Sequence, residues 1–285
     1  MRFARYCLNG RTGLLMLEGT RAHGICTDEE GYPGDLESVV WTGGDALQRA
    51  GEALRKGREI DVGSVTFLPV LGLTGKIICV GVNYLEHARE TKYQVPAHPT
   101  IFARYPSSLV GHKAALIRPK VSVEFDYEGE LVAVIGKSGR HIAKTSALDH
   151  VCGYTIFNDA TVRDWQFETT QWTIGKNFDG TGAVGPFFVT ADELPPGAKG
   201  LKIETRLNGK IVQQSNTGEL ISDVATCIEY LSQAFALNPG DILLTGTPPG
   251  VGWGRKPQLW MKAGDTCEIE VEGIGTLVNP IADET

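Results

Sequence analysis

Apolar and polar positions alternate in short, glycine-punctuated runs along most of this chain, and helical spacing is the exception. Near the start, R-F-A-R-Y, T-G-L-L-M-L-E-G and A-H-G-I-C read as short strands, followed by a helical pattern over 45–56. The stretch L-P-V-L-G-L-T-G (68–75) has the Gly/Pro punctuation of a linker, and K-I-I-C-V-G (76–81) then reads as a buried strand. Further strand-like runs fall at 130–136, 151–158, 184–189, 201–207, 241–245 and 266–272, whereas the helical patterns beyond residue 72 are fewer, at 83–90, 160–167 and 222–235. Strands and helices do not alternate regularly, so a doubly wound parallel sheet is disfavoured. The expectation is a β-dominated α+β fold, with a small N-terminal α+β domain (1–71) and a larger domain (72–285).

At 285 residues with 42% hydrophobic and 21% charged positions, the chain is long enough for a large core and has no composition of disorder. Its formal charge of -7, with no dense Lys/Arg cluster, argues against nucleic acid as a partner and for a small molecule. No run approaches membrane-spanning length, and the apolar stretch near the start is too short for a signal peptide, so a cytoplasmic protein is expected. Six cysteines stand singly, without a C-x-x-C pair, so a thiolate zinc site is not expected.

The chemistry concentrates in F-D-Y-E-G-E-L-V-A-V-I-G (125–136). Asp126, Glu128 and Glu130 occupy alternate positions, which on a strand share a face at about 6.6 Å spacing. An edge strand with a solvated acidic face is one explanation, but the continuation L-V-A-V-I is apolar on both faces. Carboxylates clustered beside a buried strand repel one another and need protons or a cation, and a hard divalent ion suits oxygen ligands. Asp159, in G-Y-T-I-F-N-D-A-T-V-R-D, stands where a strand gives way to a helical pattern; it is either a third ligand or a helix cap.

Other segments add weaker signals. In G-V-N-Y-L-E-H-A-R-E, Asn83 is placed to cap a short helix on which His87 and Glu90 are i, i+3 neighbours. Such a pair is either a surface contact or a carboxylate-oriented base. Lys176 lies among glycines and apolar residues in W-T-I-G-K-N-F-D, as a snorkelling surface lysine or a stabiliser of oxyanion charge. The loop L-L-T-G-T-P-P-G-V-G (243–252) lacks the order of a phosphate loop, while Thr247 and nearby amides can hold a carboxylate. Arg104 and Arg163 are candidates for a substrate carboxylate or for structural ion pairs. The segment 90–108, directly after the His/Glu pair, reads as a lid.

Taken together, G-V-N-Y-x-x-H-A-x-E (81–90), F-D-Y-E-G-E-L-V-A-V-I-G, N-D-A-T-V-R-D (158–164), W-T-I-G-K-N-F-D (172–179) and G-T-P-P-G-V-G (246–252) resemble the fumarylacetoacetate hydrolase family, over roughly residues 72–282. The resemblance implies a mixed β-sandwich or β-roll catalytic domain, a homodimer, and a Mg²⁺ or Mn²⁺ site, with Ca²⁺ as a further occupant. It implies Glu128, Glu130 and Asp159 as metal ligands, His87 and Glu90 as the dyad that activates water, and Lys176 as the enolate-stabilising lysine. Thr247 matches the substrate-anchoring threonine; Asp126 matches no ligand. The implied activity is hydrolysis of the C–C bond of a 2,4-dioxo acid of the acylpyruvate or fumarylpyruvate type. The same parts also permit a 2-oxo-acid decarboxylase or a 2-hydroxydienedioate isomerase, and a non-catalytic metal-binding protein is the remote alternative.

Overall fold

The computed structural model of the chain describes residues 1–72, 75–90, 94 and 97–285. Its main feature is a large mixed sheet. Across it run Arg58–Ile60, Arg21–Cys26, Arg11–Glu18, Arg2–Leu8, Gly182–Thr190, Val151–Asp159, Gly129–Ile135, Ile242–Leu244, Ile77–Gly81 and Thr100–Arg104. Along this path only Ile242–Leu244 and Ile77–Gly81 are parallel neighbours. A second sheet comprises Lys210–Asn216, Lys202–Leu207, Thr266–Val271, Gly275–Asp283 and Leu116–Arg118. The fold is β-dominated and mixed, as the spacing of the apolar runs predicts.

The strand Gly129–Ile135 shows why L-V-A-V-I is apolar on both faces. Leu131, Ala133 and Ile135 share a core with Ile203, Ile269 and Leu277 of the second sheet. Val132 and Val134 pack instead with Leu36, Val39, Ala50 and Leu54, which come from the helices Leu36–Thr42 and Ala46–Leu54. A strand covered on both sides needs side chains that lose nothing by leaving water. The N-terminal strands extend the same sheet, because Arg2 and Phe3 pair with Val189 and Phe188. A domain division at residue 72 is therefore a proposal about folding units, laid over a continuous sheet.

The longest helix, Val224–Ala234, starts at Asp223, whose Oδ1 accepts the Thr226 N–H at 2.9 Å. Val224, Cys227, Ile228 and Leu231 form its buried stripe, the i, i+3, i+4, i+7 pattern of a helix lying on a core. Of the segment read as a lid, residues 91–93 and 95–96 lie outside the described residues, while Thr100–Arg104 is a strand of the main sheet and Pro106–Ser108 a short 3-10 turn. Among the described residues no helix is long and apolar enough to cross a membrane.

His112 ties the N-terminal segment to the last strand. Its Nδ1 accepts the Val278 N–H at 3.0 Å, and its ring meets Phe67 edge-on with centroids 4.8 Å apart. Burial, aided by the neighbouring Lys113 charge, pushes the imidazole down to about 4. An unfolded histidine titrates near 6.5, so between those values the unfolded chain binds more protons than the folded one. Stability from this group is full above about pH 6.5 and is lost as pH falls toward 4. The unfolding midpoint of the wild type should therefore fall more steeply over this range than that of His112→Asn, whose amide oxygen can still accept from Val278. Parallel slopes would remove His112 as the cause.

Candidate active site

Strand register brings the acids together. Gly129 lies opposite Asn158 and Glu130 opposite Phe157, and the Asp159 N–H donates to the Glu128 carbonyl at 2.9 Å. Asp159 is thus the last residue of its strand; the next helix starts at Arg163, and Asp159 does not cap it. One oxygen from each of Glu128, Glu130 and Asp159 lies within 4.8 Å of the others, and all three residues are buried.

Three cations offset part of this charge. Lys176 Nζ stands 2.6 Å from Asp159 Oδ2 and 2.9 Å from Glu128 Oε2. With 1% exposure it is a core residue, not a snorkelling one. Arg104 donates to Asp159 Oδ1 at 2.6 Å, and Arg163 Nη2 lies 2.7 Å from Glu128 Oε1. Burial is the largest influence on Glu128 and works upward, but the Lys176 and Arg163 charges outweigh it and hold the carboxyl at about 2. Glu130 is different. It accepts one N–H, from Gly246 at 2.8 Å, and among the described residues no cation stands at ion-pair distance from it. Burial, and then the Asp159 and Glu128 charges, push it well above the usual carboxylate range. An all-oxygen set with one carboxylate lacking a counter-charge fits a hard divalent cation.

Six of the predicted site residues face one cleft and three, Glu90, Asp159 and Arg104, do not. His87, Lys176, Arg163 and Thr247 line it together with Glu128 and Glu130, around a cavity of about 30 Å³. That is room for an ion and a water or two. Asp159 and Glu90 stand just behind. Arg104 is fully buried behind Asp159, spending its other donors on the Ala160 carbonyl, Thr181 and Ser108, and is not part of the lining. Its place is under a metal-ligand candidate, not beside a substrate.

His87 is 7% exposed on the helix Leu85–Glu90, with Nδ1 3.6 Å from Glu90 Oε2. That helix is reached through Val82, whose φ of 56° is one a β-branched residue avoids, a local strain of about 1–3 kcal/mol. Asn83 does not cap it. Its side chain instead joins the Ser222 and Thr245 carbonyls and the Ser222 N–H, fixing the turn to the core.

The glycine loop after Ile242–Leu244 does hold carboxylates through its amides, but they are the protein's own. Gly246 N–H donates to Glu130, Gly250 N–H to Glu90 at 2.9 Å, and Gly252 and Trp253 N–H to Asp126 at 2.7 and 3.0 Å. Glycine is needed for such approaches: Gly250 has φ 108°, and a Cβ there would stand 2.1 Å from the Val212 carbonyl oxygen. Thr247 Oγ1 donates to the Gly129 carbonyl at 3.0 Å and accepts from Gln213 at 2.8 Å. Asp126, expected farther out on the shared face against solvent or a cationic partner, is fully buried on the separate short strand Phe125–Asp126, and its partner there is the cation Arg163. Pattern reading also misses Gln166, bonded to Arg163 at 2.9 Å, and the aromatic walls Phe102, Trp172, Phe167 and Trp253. Trp172 packs against Gly81, where a Cβ would lie 2.4 Å from its ring, a clash that only the fold reveals.

A family model described as the C-terminal region of fumarylacetoacetate hydrolase matches residues 76–282. An oxaloacetate tautomerase of Xenopus laevis mitochondria is 38% identical over 274 residues, covering 95% of this chain and 86% of that protein. Among solved structures, a fumarylacetoacetate hydrolase from the psychrophile Exiguobacterium antarcticum is 33% identical with a TM-score of 0.86, over 100% of both chains. A 5-carboxymethyl-2-hydroxymuconate delta-isomerase from Mycobacterium smegmatis is 30% identical with a TM-score of 0.78, also over 100% of both.

Proposed function

The chain belongs to the fumarylacetoacetate hydrolase family, and from that premise we propose that it is a divalent-metal-dependent tautomerase interconverting the keto and enol forms of a small 2-oxo dicarboxylic acid such as oxaloacetate. The observation that carries this reading is the placing of His87, a buried imidazole on the wall of a small aromatic-lined cleft beside three clustered carboxylates. Relatives named for relocating a proton, a tautomerase and a delta-isomerase, support it.

In this scheme Glu128, Glu130 and Asp159 hold Mg²⁺ or Mn²⁺, with Ca²⁺ as an alternative. When bound, the cation polarises the 2-oxo group and neutralises the adjacent carboxylate. His87 removes the proton from the carbon next to the ketone, and Glu90, held by the Gly250 N–H, orients the imidazole. The Lys176 ammonium stabilises charge developing on the substrate oxygen; Asp159 and Glu128 outweigh burial and raise it, so it stays protonated. Arg163 pairs with the distal carboxylate and Thr247 borders the substrate. The homodimer belongs to the same proposal.

Hydrolysis of a 2,4-dioxo acid is the second reading, favoured by the dyad, which can activate water as readily as carbon acid. Two assays separate them. With Mg²⁺ or Mn²⁺ supplied, the ultraviolet absorbance of enol oxaloacetate should decay faster with protein than without. An acylpyruvate incubated in heavy-oxygen water should yield no labelled carboxylate. Label incorporation without tautomerase activity would reverse the order, and carbon dioxide release outpacing enol decay would assign a decarboxylase.

A further inference from the structure

We propose that Arg104 is a positioning residue of the metal centre: it fixes the Asp159 carboxylate and offsets its charge, so that the protein alone holds a divalent cation loosely and leaves it positive enough to draw in an acidic substrate. The inference rests on the reading of Glu128, Glu130 and Asp159 as the metal ligands.

Ion pairs join six buried residues in one alternating row. Asp126 stands 2.7 Å from Arg163, Arg163 2.7 Å from Glu128, Glu128 2.9 Å from Lys176, Lys176 2.6 Å from Asp159, and Asp159 2.6 Å from Arg104. The acids and bases of this row offset one another, and of the ligand set only Glu130 has no ion pair among the described residues. A divalent ion seated on the three ligands then meets at most one unopposed carboxylate. It keeps a surplus positive charge, which an anionic substrate balances.

Arg104 is the base of the row that lies off the cleft: Lys176 and Arg163 line it, whereas Arg104 is closed in behind Asp159. Its seat is shaped for a guanidinium. Nη1 donates to Asp159 Oδ1 at 2.6 Å and to the Ala160 carbonyl at 3.1 Å, Nη2 to Thr181 Oγ1 at 2.9 Å and Nε to Ser108 Oγ at 3.3 Å, while the Phe157 ring centroid lies 5.4 Å from Cζ. Gly182 leaves the room, since a Cβ there would stand 2.8 Å from Nη2. With Arg104 on Oδ1 and Lys176 on Oδ2 at 2.6 Å, both oxygens of Asp159 face a cation. A neutral or acidic partner behind a ligand strengthens its hold on a metal. A buried cation there weakens it, because the two positive charges repel across the carboxylate with little water to screen them.

Two calorimetric titrations read the two halves of the inference: Mg²⁺ or Mn²⁺ into chelator-treated protein, and malate, a 2-hydroxy dicarboxylate, into the Mg²⁺-saturated protein. R104Q should bind the metal about tenfold or more tighter and, once loaded, bind malate severalfold more weakly. R104K keeps the charge and should leave both affinities within about fivefold of wild type. A merely structural role for Arg104 predicts that R104Q loses metal and malate affinity together. Weaker or unchanged metal binding in R104Q, or malate binding that does not fall, would overturn the inference. If R104Q does not fold, R104K decides: a metal affinity near wild type supports the role of charge, and a larger change in either direction overturns it. The opposite shifts in R104Q beside a wild type without tautomerase activity would remove the proposed function and leave this inference standing. Parallel losses beside an active wild type would do the reverse.

Discussion

Asp159→Ala is expected to cost the metal-free protein about 3–5 kcal/mol and to abolish its affinity for divalent cations, because one substitution strands two buried charges. Arg104 and Lys176 both approach Asp159 at 2.6 Å, and both are almost wholly removed from water. Neither has another carboxylate that could replace the pair in full: Lys176 keeps Glu128 at 2.9 Å, and Arg104 keeps only neutral acceptors. Glu130→Gln is the informative contrast. Glutamine still accepts the Gly246 N–H and removes a buried carboxyl with which no cation among the described residues forms an ion pair, so metal-free stability should hold or rise while metal affinity falls. Urea midpoints on chelator-treated protein and metal titration by calorimetry read both quantities. A Glu130→Gln protein that unfolds earlier than wild type, or an Asp159→Ala protein that unfolds alongside it, would remove the charge ledger from which the metal site is argued.

That contrast bears on what the chain made legible. Glu128, Glu130 and Asp159 could be grouped because alternation marks a strand face and because five motifs stand in family order. Their unequal roles could not, since the cations that separate Glu128 from Glu130 come from residues 163 and 176 through tertiary packing. Arg104 stayed open between substrate contact and ion pair for the same reason: an arginine in an apolar stretch reads alike whether its guanidinium faces a ligand or a neighbouring acid. Strands built from polar residues were also missed. Lys210–Asn216 has few apolar positions, and only the Asn208-Gly209 turn, with φ of 53° and 74°, would have marked it as the second arm of a hairpin. Gly275–Asp283 was hidden by Pro280, an exposed residue that lies opposite Thr266 just before Leu116–Arg118 joins the strand's other side at Ile281. Hydrophobic periodicity sees burial, and these strands are only half buried.

His87→Asn should reduce turnover by about two to four orders of magnitude while leaving metal content and malate binding near wild type. Asparagine keeps a polar side chain of similar reach at the cleft wall but cannot take a proton at neutral pH. The loss should appear in kcat, because the imidazole is asked to act on the reacting carbon and not to hold the substrate. Glu90→Gln should have a smaller effect. Its amide oxygen can still accept the Gly250 N–H, so the loop stays in place, and what is lost is the anion beside the imidazole as it gains charge. Exchange of the substrate's carbon-bound protons for deuterium, followed by nuclear magnetic resonance, reads this step alone. If His87→Asn exchanges within about tenfold of wild type, another group abstracts the proton and the site works by a different base. If exchange is lost while an acylpyruvate is still cleaved, the dyad serves carbon acid and water through separate routes, and the tautomerase and hydrolase readings describe two reactions of one cleft.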